Sequence, residues 1–409
     1  MNYRRFNAET DAEACARIWK EIGWISEGDE EGVQRFWSAG RAYVAELDGT
    51  PECMVHTAPG TMRYIDDDLR FHCICGVTTS RVARKQRLAS RLTANAVAEG
   101  AADGAFLAGL GMFEQGYYDR LGFGSGPYSV WVKFDPATLQ IDVDPKPPTR
   151  LSLDDYKAIH ASRLNQPRSH GWVVLESAEH TWGRMGSSDN AFGLGYFDDD
   201  GNLTHHIWVE PKSIGSGPYR IRWMTYQSGE QFLELMALIN SFGDQVRLVE
   251  MAEPRDIQIQ DLIRRPVAET RVREGGNLEM GIRAAAWWQM RILDLPQCMQ
   301  HTTLKCGVPV EFNLTLTDPI ADHLDEDSVW QGAAGDYVVK MGPDSWAAEG
   351  SDDSLPRMEA TVNAFTRLWL GVRPATGLAI TDDISAPREL LEALDALIHV
   401  PPPRANWDF

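Results

Sequence analysis

The chain has 409 residues, more than one core serves at about 150 residues per domain, so two or three domains are expected. Hydrophobic residues make up 43%, which excludes a disordered chain. A formal net charge of −20 argues against a nucleic-acid or anionic-membrane partner; it suits a cationic small molecule, and more readily a merely well-solvated surface.

Residues 3–6 read as a short strand. From 9 to 22, Ala14, Cys15, Ile18 and Ile22 recur at helical spacing. Glu27, Asp29, Glu30 and Glu31 then form an acidic loop. RAYVAEL (41–47) and ECMVHTA (52–58) read as strands joined by the tight turn Asp48-Gly49, a strong hairpin signal. RFHCICGVTTS (70–80) is a longer strand on which Cys73 and Cys75 share a face. It runs into a helical stretch over 83–101, with Leu88, Leu92 and Ala96 on one stripe. AFLAGLGMF (105–113) is a strand, a short helix follows around 115–121, and SVWVKFD (129–135) is a last strand. The proline-rich text at 144–150 marks a boundary.

The second segment repeats the plan. AFGLGYF (191–197) and LTHHIWVE (203–210) make a hairpin around Gly201, and YRIRWMTYQ (219–227) leads into a helix. Ser228 and Gln231 make a capping box there, and Phe232, Leu235, Met236 and Ile239 form one apolar face. This copy lacks a basic turn before its helix. In the last segment VPVEFNLTL places Val308, Val310, Phe312, Leu314 and Leu316 on one face of a strand. Residues 335–342 and 357–362 read as strands, and 363–371 and 388–398 as helices. The chain ends on VPPPRANWDF, a proline-stiffened arm.

The chemistry concentrates in Val77-Thr78-Thr79-Ser80-Arg81-Val82-Ala83-Arg84-Lys85-Gln86-Arg87-Leu88-Ala89, where a strand ends, a basic turn follows and a helix begins. The first N–H groups of a helix lack intrahelical partners and form a ready anion site. The same residues also fit a solvated basic helix start. A second signal is Glu114-Gln115-Gly116-Tyr117-Tyr118-Asp119-Arg120-Leu121. A tyrosine is still protonated at neutral pH and can serve as an acid, or it can be a buried core aromatic. His205 and His206 point to opposite faces of a strand, so no shared metal is expected there, and Gly109-Leu110-Gly111 is too short for a dinucleotide fingerprint.

The basic turn resembles the CoA-binding turn of the GNAT acyltransferase superfamily, whose pattern is Arg or Gln, two residues, Gly, any residue, Gly or Ala. Arg84 and Ala89 match its ends, and Arg87 stands where the first glycine is usual. The layout as a whole resembles the enhanced-intracellular-survival (Eis) acetyltransferases. That resemblance implies a mixed α/β (α+β) fold: a GNAT domain over 1–145, a second GNAT-like domain without the CoA turn over 146–285, and a sterol-carrier-protein-like domain over 286–409. It implies acetyl-CoA as co-substrate, without a metal, and an N-acetyltransferase acting on a primary amine such as an aminoglycoside, a polyamine or a lysine-like group. It also implies a homo-hexamer. Val77, Thr78 and Thr79 would bind the thioester and pantetheine, and Lys85, Gln86, Arg87, Leu88, Ala89 and Ser90 the pyrophosphate beside Arg84. Phe113 and Glu114 would line the cofactor. Tyr118 would be the general acid, and the terminal carboxylate of Phe409 the base. A reading of another class is a lipid- or ligand-binding scaffold built on the last domain.

The six cysteines, Cys15, Cys53, Cys73, Cys75, Cys298 and Cys306, form no CxxC pair, as expected in a reducing compartment. With no apolar leader and no long apolar run, a cytoplasmic location and no membrane partner are expected.

Overall fold

Asp48 and Gly49 both take positive φ, 52° and 80°, the backbone that a tight hairpin turn requires. The turn joins strands Arg41–Leu47 and Thr50–Tyr64, and a second hairpin adds Asp67–Thr79. The computed structural model describes residues 2–186, 188, 190–305 and 307–407. Contacts divide the chain into two units. One comprises Met1–Pro127, Arg168–Ser177 and Ala286–Phe409; the other comprises Tyr128–Pro167 and Ala178–Ala285.

The main sheet of the first unit runs in the order Asn2–Arg5, Arg41–Leu47, Thr50–Tyr64, Asp67–Thr79, Leu107–Gly111, Trp288–Ile292, Gly124–Ser125, with Val173–Leu175 paired to the third of these. Asp67–Thr79 and Leu107–Gly111 are parallel, and the helix Leu88–Ala102 crosses between them. Leu88, Leu92, Ala96 and Val97 of that helix are buried against the sheet, as their spacing predicts. Between His56 and Thr57 the hairpin register shifts, which leaves Cys75 as an extra, unpaired residue. Such a bulge bends and twists the strand.

The sheet of the second unit follows the same order: Thr149–Leu151, Phe192–Phe197, Leu203–Pro211, Tyr219–Thr225, Val249–Ala252, Ser129–Phe134, Gly281–Ala285. Each sheet therefore takes its sixth position from the other half of the repeat. Ser129–Phe134, expected to finish the first domain, pairs with Val249–Ala252 and Gly281–Ala285. Trp288–Ile292, expected to open the third domain, pairs with Leu107–Gly111 and Gly124–Ser125. Alternation along a strand says which face is apolar; it carries no label for the sheet that receives it. A boundary near 145 is thus replaced by one at Pro127, and the segment Arg168–Ser177 returns to the first unit.

The remaining sheet runs Trp346–Glu349, Gly335–Met341, Val310–Thr317, Arg357–Thr361, Ile384–Ser385, accompanied by helices Val362–Trp369 and Arg388–Leu397. Phe312, Leu314 and Leu316 face its core, whereas Val308 lies before the strand and is exposed. Its core is continuous with residues of the first sheet, including Phe71, Leu107, Trp288 and Met290. Among the described residues, no helix is long and apolar enough to cross a membrane.

Candidate active site

The bulge at Cys75 marks where the first sheet opens. Pairing between the two parallel strands ends at Ile74–Leu110, while Asp67–Thr79 stays paired to its hairpin partner as far as Thr79–Cys53. Among the described residues, the strand has no partner on its other side beyond Ile74, so the backbone of Val77, Thr78 and Thr79 offers an open edge. Val77 and Thr79 are half-buried; Thr78 turns inward, and its hydroxyl donates to the Met54 carbonyl at 3.4 Å. The Thr79 hydroxyl donates to the Cys53 sulfur at 3.4 Å.

The chain then enters the basic turn, which is anchored at its start. Ser80 N–H donates to the Glu52 carbonyl at 2.9 Å, and Arg81 N–H donates to the Glu21 carboxylate at 2.9 Å. That backbone bond is the main reason the Glu21 carboxyl sits below its ordinary range. Arg84, Lys85 and Arg87 are exposed, and Gln86 is half-buried with its amide on the Val82 carbonyl. Lys85 and Arg87 both take left-handed backbone, at φ 65° and 63°. Arg87 therefore adopts the conformation for which glycine is usual, at a cost of about 1–2 kcal/mol. Leu88 is buried and fixes the first turn of the helix; Ala89 and Ser90 are half-buried. Arg87 is the N-cap residue but makes no side-chain cap, and no acidic residue stands in the first turn. Ser90 spends its hydroxyl on the Arg87 carbonyl at 3.0 Å. The leading amides thus remain available to an anion.

Tyr118 lies on the short helix Gln115–Asp119, after Phe113, which is 74% exposed, and Glu114, which is exposed and extended. Tyr118 is buried, with ring contacts to Phe113 (5.7 Å), Tyr117 (4.9 Å) and Phe123 (6.2 Å). Among the described residues its hydroxyl has no hydrogen-bond partner. Burial pushes its pKa well above the ordinary tyrosine value, so it stays a neutral donor. Burial also raises Tyr117, to about 12.

The acidic loop is not an open ring of carboxylates. Lys20 pairs with Glu27 at 2.7 Å and with Glu30, while Asp29 accepts the Ser26 N–H at 2.7 Å. Glu30 and Glu31 belong to the helix Glu30–Ser38. Aromatic residues gather here, where the sequence alone offers only core packing for them. Trp19 and Trp24 meet edge to face at 5.1 Å, and a Cβ on Gly76 would lie 3.5 Å and 3.4 Å from their rings. The glycine in FHCICGV is the available signal.

The C-terminal arm is docked through Trp407. Arg404 N–H donates to the His170 carbonyl at 3.0 Å, and Val173 N–H donates to the Ala405 carbonyl at 2.9 Å. Gly171, at φ 79°, lets the arm pass: a Cβ there would lie 2.5 Å from Pro403 Cβ. Ala405 and Trp407 are buried. Asp408 and Phe409 lie outside the described residues.

This part of the chain holds a strand edge that opens after a bulge, a helix start without a side-chain cap and a buried tyrosine on a short helix. Residues 2–126 match the acetyltransferase (GNAT) domain family, and the chain is accordingly an acyltransferase carrying a GNAT domain. GNAT domains use acetyl-CoA as co-substrate. No curated protein matches it in sequence. Its fold is similar to that of a probable N-acyltransferase from Enterococcus faecalis (14% identity, 98% of each chain covered, TM-score 0.78). It is similar also to a GCN5-related N-acetyltransferase from Anabaena variabilis (15%, 100% of each chain, TM-score 0.78) and to Eis1 from Mycobacterium abscessus (16%, 100% of each chain, TM-score 0.74).

Proposed function

We propose that this chain is an acetyl-CoA-dependent N-acetyltransferase that transfers the acetyl group directly to a primary amine. The observation that carries the reading is the opening of the first sheet beyond Ile74–Leu110, which leads onto an uncapped helix start. Backbone amides at Val77 to Thr79 suit a thioester and its pantetheine arm. The amides of Lys85 to Ser90, with Arg84, Lys85 and Arg87 around them, suit a pyrophosphate. Phe113 and Val82, 74% and 68% exposed, are apolar surfaces beside that path.

In the proposed reaction the amine nitrogen bonds to the acyl carbon as the carbon–sulfur bond breaks. Tyr118 delivers its hydroxyl proton to the departing sulfur, a role its unpaired, neutral hydroxyl suits, and takes up the second proton that the amine nitrogen sheds as the amide forms. The incoming ammonium loses its proton to the terminal carboxylate of Phe409, on an arm held by Gly171, Val173 and Trp407. Trp24, half exposed beside Gly76, offers a ring face to a cation, and the net charge of −20 favours approach of one. Aminoglycosides, polyamines and lysine-like amines share this chemistry. The five-stranded sheet with its flanking helices is compatible with a sterol-carrier-like domain whose part is to carry the C-terminus. The test is a panel of these amines assayed for CoA release from acetyl-CoA. Release with at least one polycation is expected; acetyl-CoA binding without turnover of any amine would overturn the reading.

A further inference from the structure

The helix that carries Tyr118 has five residues and no side-chain cap, too short to hold its own position. Its position is set from the strand Trp288–Ile292, which enters this sheet only after the chain has passed through the second unit. Gln289 on that strand is fully buried. Its side-chain amide donates to Asp119 Oδ1 at 2.7 Å and Ser125 Oγ at 3.1 Å, and lies 3.4 Å from the Gln115 and Phe123 carbonyls. Arg291, also fully buried, donates to the Leu121 carbonyl at 2.5 Å and pairs with Asp318. Asp318 in turn accepts N–H bonds from Ile320 (3.1 Å) and Ala333 (2.8 Å). Gly122, at φ 76°, admits the guanidinium: a Cβ there would lie 2.7 Å from it. The residue after Tyr118 and the third after it are thus both tied to one strand.

We infer that Gln289 is a positioning residue for Tyr118, acting through its hydrogen bond to Asp119, with Arg291 fixing the far end of the same turn. The inference rests on the reading of Tyr118 as the proton donor. The bond is directional: the Gln289 amide donates and the Asp119 carboxylate accepts. A swap of donor for acceptor therefore breaks it with little change of volume, and a reciprocal swap restores it. Misplacing a reacting group by about 1 Å costs on the order of 100-fold in rate.

The test uses the full chain, with kcat, KM and acetyl-CoA affinity by calorimetry for Gln289→Glu, Asp119→Asn/Gln289→Glu, Asp119→Ala and Tyr118→Phe. Gln289→Glu sets two carboxyls against each other, so kcat should fall about 10- to 100-fold near neutral pH. It should recover as pH drops and the two share a proton. The other charges around Asp119 are Glu114, Arg367 and Asp382, and the last two are paired with each other at 2.6 Å. The double variant exchanges the two groups, so that a carboxamide on the helix donates to a carboxylate on the strand, and it should regain at least tenfold of the loss. Acetyl-CoA affinity should stay within about threefold throughout, because the basic turn is not part of this network. Wild-type kcat in Gln289→Glu, or a double variant no better than the single, overturns the inference. If Gln289→Glu does not fold, Asp119→Ala decides from the half-buried side: a loss of kcat with unchanged acetyl-CoA affinity supports positioning, and no loss refutes it. Tyr118→Phe separates the two readings. Full kcat there removes the proton-donor role itself, whereas a loss there with wild-type kcat in Gln289→Glu removes only the positioning role.

Discussion

Two helices in this chain begin just after the fourth strand of a sheet, and they begin differently. Leu88–Ala102 follows an eight-residue turn, 80–87, whose N-cap is an arginine with no capping bond. Gly229–Asn240 follows Tyr226, Gln227 and Ser228. Ser228 Oγ accepts the Gln231 N–H at 3.3 Å, and Gln231 Oε1 accepts the Gln227 N–H at 2.7 Å. The second helix closes its own N-terminus with its own side chains, while the first leaves its amides for something else. Strand order and crossover are shared; what separates the two helix starts is who satisfies a few N–H groups. Upstream the two sheets agree: the parallel pairing ends at Ile74–Leu110 in one and at Ile221–Met251 in the other, and a bulged residue follows in each, Cys75 and Arg222, so the helix start is where they part.

The comparison breaks most sharply at the basic turn. Replacing Arg84 and Lys85 by alanine should weaken acetyl-CoA binding by about tenfold per charge, since charge-assisted contacts are each worth ~1.5–3 kcal/mol and these are exposed. Replacing Lys212 and Arg220, cations of the second unit, should leave binding unchanged. Calorimetry decides: equal effects of the two pairs would mean that net charge, rather than the open helix start, holds the anion.

Much of this contrast is legible in the residues. The side-chain cap at Ser228, the absence of one at Arg87, the apolar stripe through Leu88 and Leu92, and the short tyrosine helix all follow from local spacing, though the Gln231 side chain accepts from Gln227 N–H and not from Ser228 N–H as a capping box would. The exchange of Ser129–Phe134 for Trp288–Ile292 is not legible, because pairing between strands far apart in sequence leaves no local mark. For the same reason Gln289 and Arg291 escape a reading of the sequence. They sit in WWQMRIL, which reads as an apolar run with two polar interruptions, and only the sheet reveals that those interruptions meet the Tyr118 turn. Trp24 reads as core packing because tryptophan usually is; its position beside Gly76 is a tertiary fact.

The two units should also differ in their response to acid. Trp223 Nε1–H donates to His206 Nε2 at 3.2 Å, so that nitrogen carries no proton, and Ser162 Oγ meets the other at 3.3 Å. Burial, then Arg163 and His205 nearby, lowers the His206 pKa to about 3; burial lowers His72 of the first unit to about 4. The unfolded chain takes up these protons near pH 6.5, while the native chain resists until the lowered values. The stability is full above about pH 6.5 and is lost as pH falls toward 3 for His206 and toward 4 for His72. Chemical denaturation between pH 7 and 5, above the titration of ordinary carboxylates, should show stability falling with pH, and a flat profile would contradict the neutral assignment. A smaller effect belongs to the closed helix start. Ser228→Ala should cost about 1 kcal/mol of stability and leave acetyl-CoA binding untouched, with the loss read as a shift in the denaturation midpoint.

The smallest effect is the most discriminating, because it asks what Arg87 does at the open start. The residue combines two opposed features: a guanidinium that suits a phosphate and a left-handed backbone that suits glycine. Arg87→Gly removes both the strain and the charge, whereas Arg87→Ala removes the charge and keeps the strain. Relief of about 1–2 kcal/mol in the folded state is offset by the extra freedom glycine gives the unfolded chain, about 0.5–1 kcal/mol. Arg87→Gly should therefore stabilise the protein by about 0–1.5 kcal/mol, and Arg87→Ala should not stabilise it. Acetyl-CoA affinity then sorts the role of the side chain. If both variants bind more weakly, by a similar factor, the guanidinium contacts phosphate and offsets its own strain through binding. If Arg87→Gly binds more tightly than the parent while Arg87→Ala does not, the backbone is the ligand and any Cβ at this position, with its strain, stands in its way. Equal stability and equal affinity in all three proteins would show that this turn, despite its open amides, is not where the anion is held.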